Sequence, residues 1–174
     1  MKTELRRAER AMKTPEEMER LLARMSVGCL SVATQDGPYA VAMNYLFVDG
    51  CIYLHSANAG RKIEAIKRDT KICFMVHEDG PLIIRDQACG ISQIYKSVIC
   101  FGKASFVEDA GEKKQVLEKM VGKYAPNHGQ AITMNTGNIE RTTVIKIAIE
   151  AMSGKTNEAT PPYTALQDRD TKTE

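Results

Sequence analysis

Three strand-forming runs follow one another from Gly28 to Ser56 with almost nothing between them, and this constrains the fold more than any other feature. GCLSVAT is followed by a QDG turn, PYAVAMNYLFV (Pro38–Val48) by Asp49-Gly50, and then comes CIYLHS. Connections this short join antiparallel strands, so the run predicts a three-stranded meander.

The rest of the chain extends that sheet. Thr14-Pro15-Glu16-Glu17 is a capping box with proline at the first helical position. Met18, Leu21, Leu22 and Met25 share one helical face, which predicts a helix from about Pro15 to Val27, ended at Gly28. Arg61–Arg68 reads as a short helix, with Ile63 and Ile66 three apart, and Lys71–Glu78 as a strand. A Gly80-Pro81 loop leads into PLIIRDQACG, which carries no clear pattern. Ile91–Glu108 reads as one long strand bent or bulged at Gly102. Asp109 and Glu112 cap a helix whose stripe is Val116, Leu117, Met120, Val121 and Tyr124, ended by Pro126. Asn127–Asn138 is polar and reads as a loop. Thr142–Ala151 alternates as a last strand, and from Ser153 apolar residues nearly vanish, which predicts a mobile or partner-draped tail. The expectation is an α+β fold: a six-stranded antiparallel barrel, closed so that no edge is exposed, with peripheral helices. Residues 1–155 form its one domain and 156–174 the tail.

At 174 residues the chain can bury a proper core. Its formal charge of +2 makes no electrostatic case for nucleic acid or a membrane. Five cysteines without a CxxC pair fit a reducing cytoplasm, and no apolar run approaches spanning length. No HxxxH, HExxH, GxSxG, GxGxxG or Walker spacing occurs, so neither a metal site nor those nucleotide folds are expected.

The chemistry concentrates in CIYLHSANAGRK (Cys51–Lys62). A strand ends there and a helix begins, with Ser56, Ala57, Ala59 and Gly60 between them and Arg61-Lys62 in the helix's first turn. A helix N-terminus is partially positive, so cations there are mildly unfavourable unless something negative joins them. Free N–H groups, a hydroxyl and two cations suit a phosphate; a solvated basic turn is the other reading. His55 ends the strand on the side of Tyr53, as a structural residue or a ligand contact. His77 reads as a surface residue, and His128 lies in the polar loop. Tyr95-Lys96-Ser97-Val98 and Met43-Asn44-Tyr45 set polar groups into apolar strands, by ordinary alternation or as pocket edges.

AVAMNYLFVDGCIYLHSANAGRKIEAIKRDTKICF resembles the core of the pyridoxamine-phosphate-oxidase-like split barrels that bind FMN. ACGISQIYKSVICFGKASFVEDAGEKKQVLEKMVGKY and TTVIKIAIEAMSGK resemble the nitroimidazole-resistance, or nitroimidazole-reductase, branch. The resemblance runs from Glu16 to Lys155. It implies a homodimer with FMN in the cleft between subunits. It implies that Arg61 and Lys62 hold the phosphate beside Ser56, with Ala57 in the same set. Ala42, Met43, Asn44 and Tyr45 would lie along the flavin through backbone groups; the family uses proline in this strand, where the chain has alanine. Tyr95 and Ser97 would contact the cofactor, Ser97 near the ring or ribityl chain. His55 falls where the branch places its active-site histidine. Residues with which the oxidase proper holds pyridoxal phosphate are not found. The implied activity is FMN-dependent reduction of a small electron-poor acceptor such as a nitroimidazole, in two-electron steps. A non-catalytic haem- or flavin-binding barrel is the alternative.

Overall fold

The computed structural model describes residues 5–85, 87, 90–127 and 136–158. Local signals set its first half. Thr14 caps α1 (Pro15–Arg24), accepting from the Glu17 amide at 3.3 Å, while the Glu17 carboxylate takes the Lys13 amide at 2.9 Å. α1 stops short of the predicted Val27, because that residue already opens β1 (Val27–Thr34). β2 (Gly37–Val48) and β3 (Cys51–Ala57) are joined by Asp49-Gly50, with φ of 50° and 69°. Two successive positive φ values make the twist-matched hairpin turn that an Asp-Gly pair favours. α2 (Arg61–Arg68) occupies the expected span.

Tertiary pairing lengthens the strands that follow. β4 runs Lys71–Ile83, so the expected Gly80-Pro81 loop is a strand irregularity instead. The register to β5 (Ser92–Phe106) shifts between Asp79 and Leu82, and Gln93 Nε2 donates to the Gly80 carbonyl at 3.0 Å. Proline, which cannot donate to a ladder, is tolerated at such a bulge. β6 spans Thr142–Asn157, beyond the predicted Ala151 and the expected end of the domain at 155. Its polar end, including the predicted tail residues from Ser153, is held because Ile99, Ser97 and Tyr95 pair with Ser153, Lys155 and Asn157. The irregularity expected at Gly102 is present, with the extra residue on the partner strand: Phe101 faces Ala151 and Gly102 faces Ile149. A Cβ at Gly102 would stand 2.1 Å from the Ala148 carbonyl oxygen, so only glycine fits. Asp109 caps α3 (Ala110–Tyr124), accepting from the Glu112 amide at 2.7 Å. A short α4 (Thr136–Glu140) replaces the end of the expected loop; His128 and Cys89 lie outside the described residues.

The strands close in the order β1-β2-β3-β6-β5-β4. Leu30, Phe74, Cys100, Ile52, Leu54 and Ile147 fill the interior, each 0% exposed, and burial pushes the Cys100 thiol up to about 12. Leu21 and Leu22 of α1 and Ile63 and Ile66 of α2 join that core. A second core lies between the barrel and α3, built from Leu46, Tyr53, Val144, Val116 and Met120. Among the described residues no helix is long and apolar enough to cross a membrane.

Candidate functional site

The site begins where β2 and β3 part. The β2–β3 register ends at Tyr45–Leu54, after which β3 continues along β6, with Ser56 opposite Thr143 and Ala57 opposite Thr142. β2 continues along β1 alone, from Asn44 opposite Val27 to Gly37 opposite Thr34. Alternate residues of an antiparallel strand turn their N–H and C=O to opposite edges. Thr34 and Gly37 flank a two-residue turn and Pro38 has no N–H, so Tyr39, Val41 and Met43 bond to β1. Ala40, Ala42 and Asn44 therefore aim their backbone groups into the gap left by β3.

α2 starts beside that gap. Gly60 precedes it at φ 126°, a conformation that disfavours side chains, and no side chain caps the helix. Asn58 holds the approach, accepting from Thr143 Oγ1 at 2.8 Å. The Arg61 guanidinium carbon lies 5.2 Å from the centre of the Tyr39 ring, which ties the helix start to β2. Among the described residues neither Arg61 nor Lys62 pairs with a carboxylate; Glu64, in the same turn, is taken by Lys67 at 3.0 Å. Ser56 is 8% exposed and its hydroxyl has no hydrogen-bond partner among the described residues. Leaving such a group buried and unpaired costs about 1–3 kcal/mol. An anion at the helix start would relieve this and the unfavourable cation placement together. The donor set fits a flavin phosphate.

The remaining predicted residues separate into groups. Ala42 and Asn44 are exposed, Met43 is half-buried against the core, and His55 and Ala57 are exposed at the end of β3. Tyr45 stands apart: it is 0% exposed, and its hydroxyl donates to the Leu22 carbonyl at 2.5 Å. Its backbone N–H is taken by the Tyr124 hydroxyl at 2.8 Å. Tyr95 and Ser97 are half-buried on β5, with Ser97 opposite His77 and Lys155. Ser97 is three strands from Asn44, roughly 14 Å across the sheet. The chain thus gathers Ser56, Ala57, Arg61, Lys62 and the open edge of β2, and leaves Tyr95 and Ser97 outside that group.

Sequence reading missed a hollow of about 420 Å³ beside Ala42, lined among others by Val27, Cys29, Met75 and His77. His77 is exposed, as expected, but its place next to Ala42 follows from register across β1 and β4. Among the described residues no three His, Cys, Asp or Glu side chains form a metal-binding group.

Residues 14–156 match the family model described as pyridoxamine 5'-phosphate oxidase. No curated protein matches the sequence. Among solved structures, a candidate 5-nitroimidazole antibiotic resistance protein from Bacteroides thetaiotaomicron is 24% identical, with TM-score 0.72 over 84% of this chain and 86% of that one. A flavocytochrome from Azotobacter vinelandii is 21% identical, with TM-score 0.84 over 96% of this chain and 77% of its own. The FAD- and haem-binding protein of Mycobacterium smegmatis is 17% identical, with TM-score 0.78 over 87% and 75%. At these identities the likeness is one of fold.

Proposed function

The chain belongs to the pyridoxamine 5'-phosphate oxidase family, and on that premise we propose that it is an FMN-dependent oxidoreductase reducing a small electron-poor acceptor such as a nitroimidazole. The observation that carries this reading is the buried, unpartnered Ser56 hydroxyl beside an uncapped helix that opens with two cations free of carboxylates. Arg61 and Lys62 hold the phosphate, neutralising a dianion, and Ser56 donates to it. The backbone groups of Ala42 and Asn44 line the flavin. Bound there, FMN supplies the electron transfer to the acceptor; the protein supplies binding, orientation and an open face. His55, exposed at the end of β3, positions the acceptor or gives it a proton. The nitroimidazole class is supported by the resemblance in residues 16–155 and by the description of the Bacteroides structure.

A second copy of the chain completes the cleft. Tyr95 and Ser97 stand away from the phosphate cradle, and Val27 and Met75, beside Ala42, are 50% and 38% exposed. The alternative, a non-catalytic haem- or flavin-binding barrel, is favoured by one feature: His55 is exposed, and its imidazole has no hydrogen-bond partner among the described residues, which leaves it open to bind a metal.

Sedimentation followed in the blue flavin band tests these assignments together. Flavin should travel with the mass of two chains. Arg61→Ala with Lys62→Ala should weaken FMN binding by about a hundred-fold or more, from charge-assisted contacts of about 1.5–3 kcal/mol each. Unchanged affinity removes the phosphate assignment, a fully loaded monomer removes the dimer, and a haem Soret band in place of flavin selects the alternative.

A further inference from the structure

A side chain stands in for a missing strand next to the open edge of β2. The backbone of Tyr45 points toward β1, but β1 begins only at Val27, and Met25–Ser26 is the link from α1. The last turn of α3 fills the vacancy. The Tyr124 hydroxyl accepts the Tyr45 N–H at 2.8 Å and lies 2.7 Å from the Tyr45 carbonyl oxygen and 2.6 Å from that of Ser26, either of which can take its proton. Lys123 Nζ donates to the Met25 carbonyl at 2.7 Å and the Tyr45 carbonyl at 3.2 Å, and lies 4.3 Å from the Tyr45 ring centre. Asn44 Nδ2 also reaches the Ser26 carbonyl, at 3.2 Å.

The planar peptide makes this arrangement consequential. The Tyr45 N–H and the Asn44 C=O belong to one trans peptide group and point in opposite directions. Holding that N–H on Tyr124 therefore aims the Asn44 carbonyl into the gap where β3 has left. We propose that Tyr124, supported by Lys123, is a positioning residue that sets the Asn44 carbonyl as a hydrogen-bond acceptor for the bound flavin ring. The inference rests on the flavin reading above and adds Tyr124, which the sequence shows only as the end of a helical stripe, together with Lys123.

The test uses the full chain and FMN. In Tyr124→Phe the Tyr45 amide should exchange at least about tenfold faster than in wild type. FMN should bind about 5- to 30-fold more weakly, the loss expected for one or two hydrogen bonds, with its absorption bands displaced because the ring's hydrogen bonding has changed. Lys123→Met should share the defect and Lys123→Arg should restore binding. If Tyr124→Phe does not fold, the Lys123 pair decides: equal FMN affinity and unshifted bands in Met and Arg variants overturn the proposal. Wild-type affinity and bands in a folded Tyr124→Phe overturn it as well, whatever the exchange rate, since the contact is then structural only. A wild-type chain that takes up no FMN defeats the functional reading first and the positioning role with it, and the wild-type control separates that failure from the others.

Discussion

The two halves of β2 meet the same demand in opposite ways. From Tyr45 to Val48 the strand is sealed: β3 pairs one edge, Tyr124 and Lys123 hold the other at Tyr45, and the Tyr45 ring packs edge-on against Phe74 at 5.0 Å. Burial pushes the Tyr45 phenol well above its usual range, with Tyr124 adding to the effect. From Ala40 to Asn44 one edge has no strand opposite among the described residues, and Ala42 and Asn44 are exposed. Ser56, just past the parting on β3, is the buried polar side chain left without a partner among the described residues. Since buried polar groups in folded chains are nearly all satisfied, stability accounts for the sealed half, and the proposed flavin site would account for the open one. Substitutions in the two regions should therefore be read out by different measurements.

The largest effect is expected beyond the parting. His55→Ala should leave FMN bound, because Arg61, Lys62 and Ser56 remain, and slow reoxidation of the pre-reduced enzyme by a nitroaromatic by roughly 10²–10⁴-fold. Equal reoxidation rates would make His55 a structural residue and blur the contrast. Next comes the sealed half: Tyr45→Ala removes a fully buried ring and should cost about 3–5 kcal/mol, seen as a lower urea midpoint. A loss under about 1 kcal/mol would show that this half is not the structural anchor. The smallest effect should come from Ser56→Ala. Removing an unsatisfied buried hydroxyl should raise the stability of the flavin-free protein by about 1–3 kcal/mol, while FMN affinity drops several-fold. If stability falls instead and FMN affinity holds, the hydroxyl has a structural partner and the cradle is misplaced.

Features carried by neighbouring residues were legible in the sequence. The capping pairs at Thr14–Glu17 and Asp109–Glu112 and the Asp49-Gly50 turn each involve residues within four positions, and each formed as read. The residues of the proposed phosphate cradle could be grouped for the same reason, since Ser56, Gly60, Arg61 and Lys62 are nearly consecutive. The errors lie where a distant strand decides. β4 continues through Gly80-Pro81 because β5 resumes pairing at Leu82–Gln93. β6 continues through polar Lys155 and Thr156 because Ser97 and Lys96 lie opposite them.

The sequence by itself therefore determined that these strands exist, their tight turns, the helix caps and the group of donors at the start of α2, because each depends on local backbone preference and side chains a few residues apart. Only the tertiary structure decided where β3 leaves β2, which backbone groups that departure frees, and which residue closes the opposite edge. Leu54 is the last β3 residue paired with β2, while on its other edge β6, about ninety positions later, follows β3 on to Ala57, with Val144 opposite His55 and Thr143 opposite Ser56. Tyr124 reaches Tyr45 across 79 positions of sequence through one hydroxyl. No local pattern encodes such a contact; it exists because packing α3 over β2 leaves that N–H buried, and a buried N–H requires an acceptor.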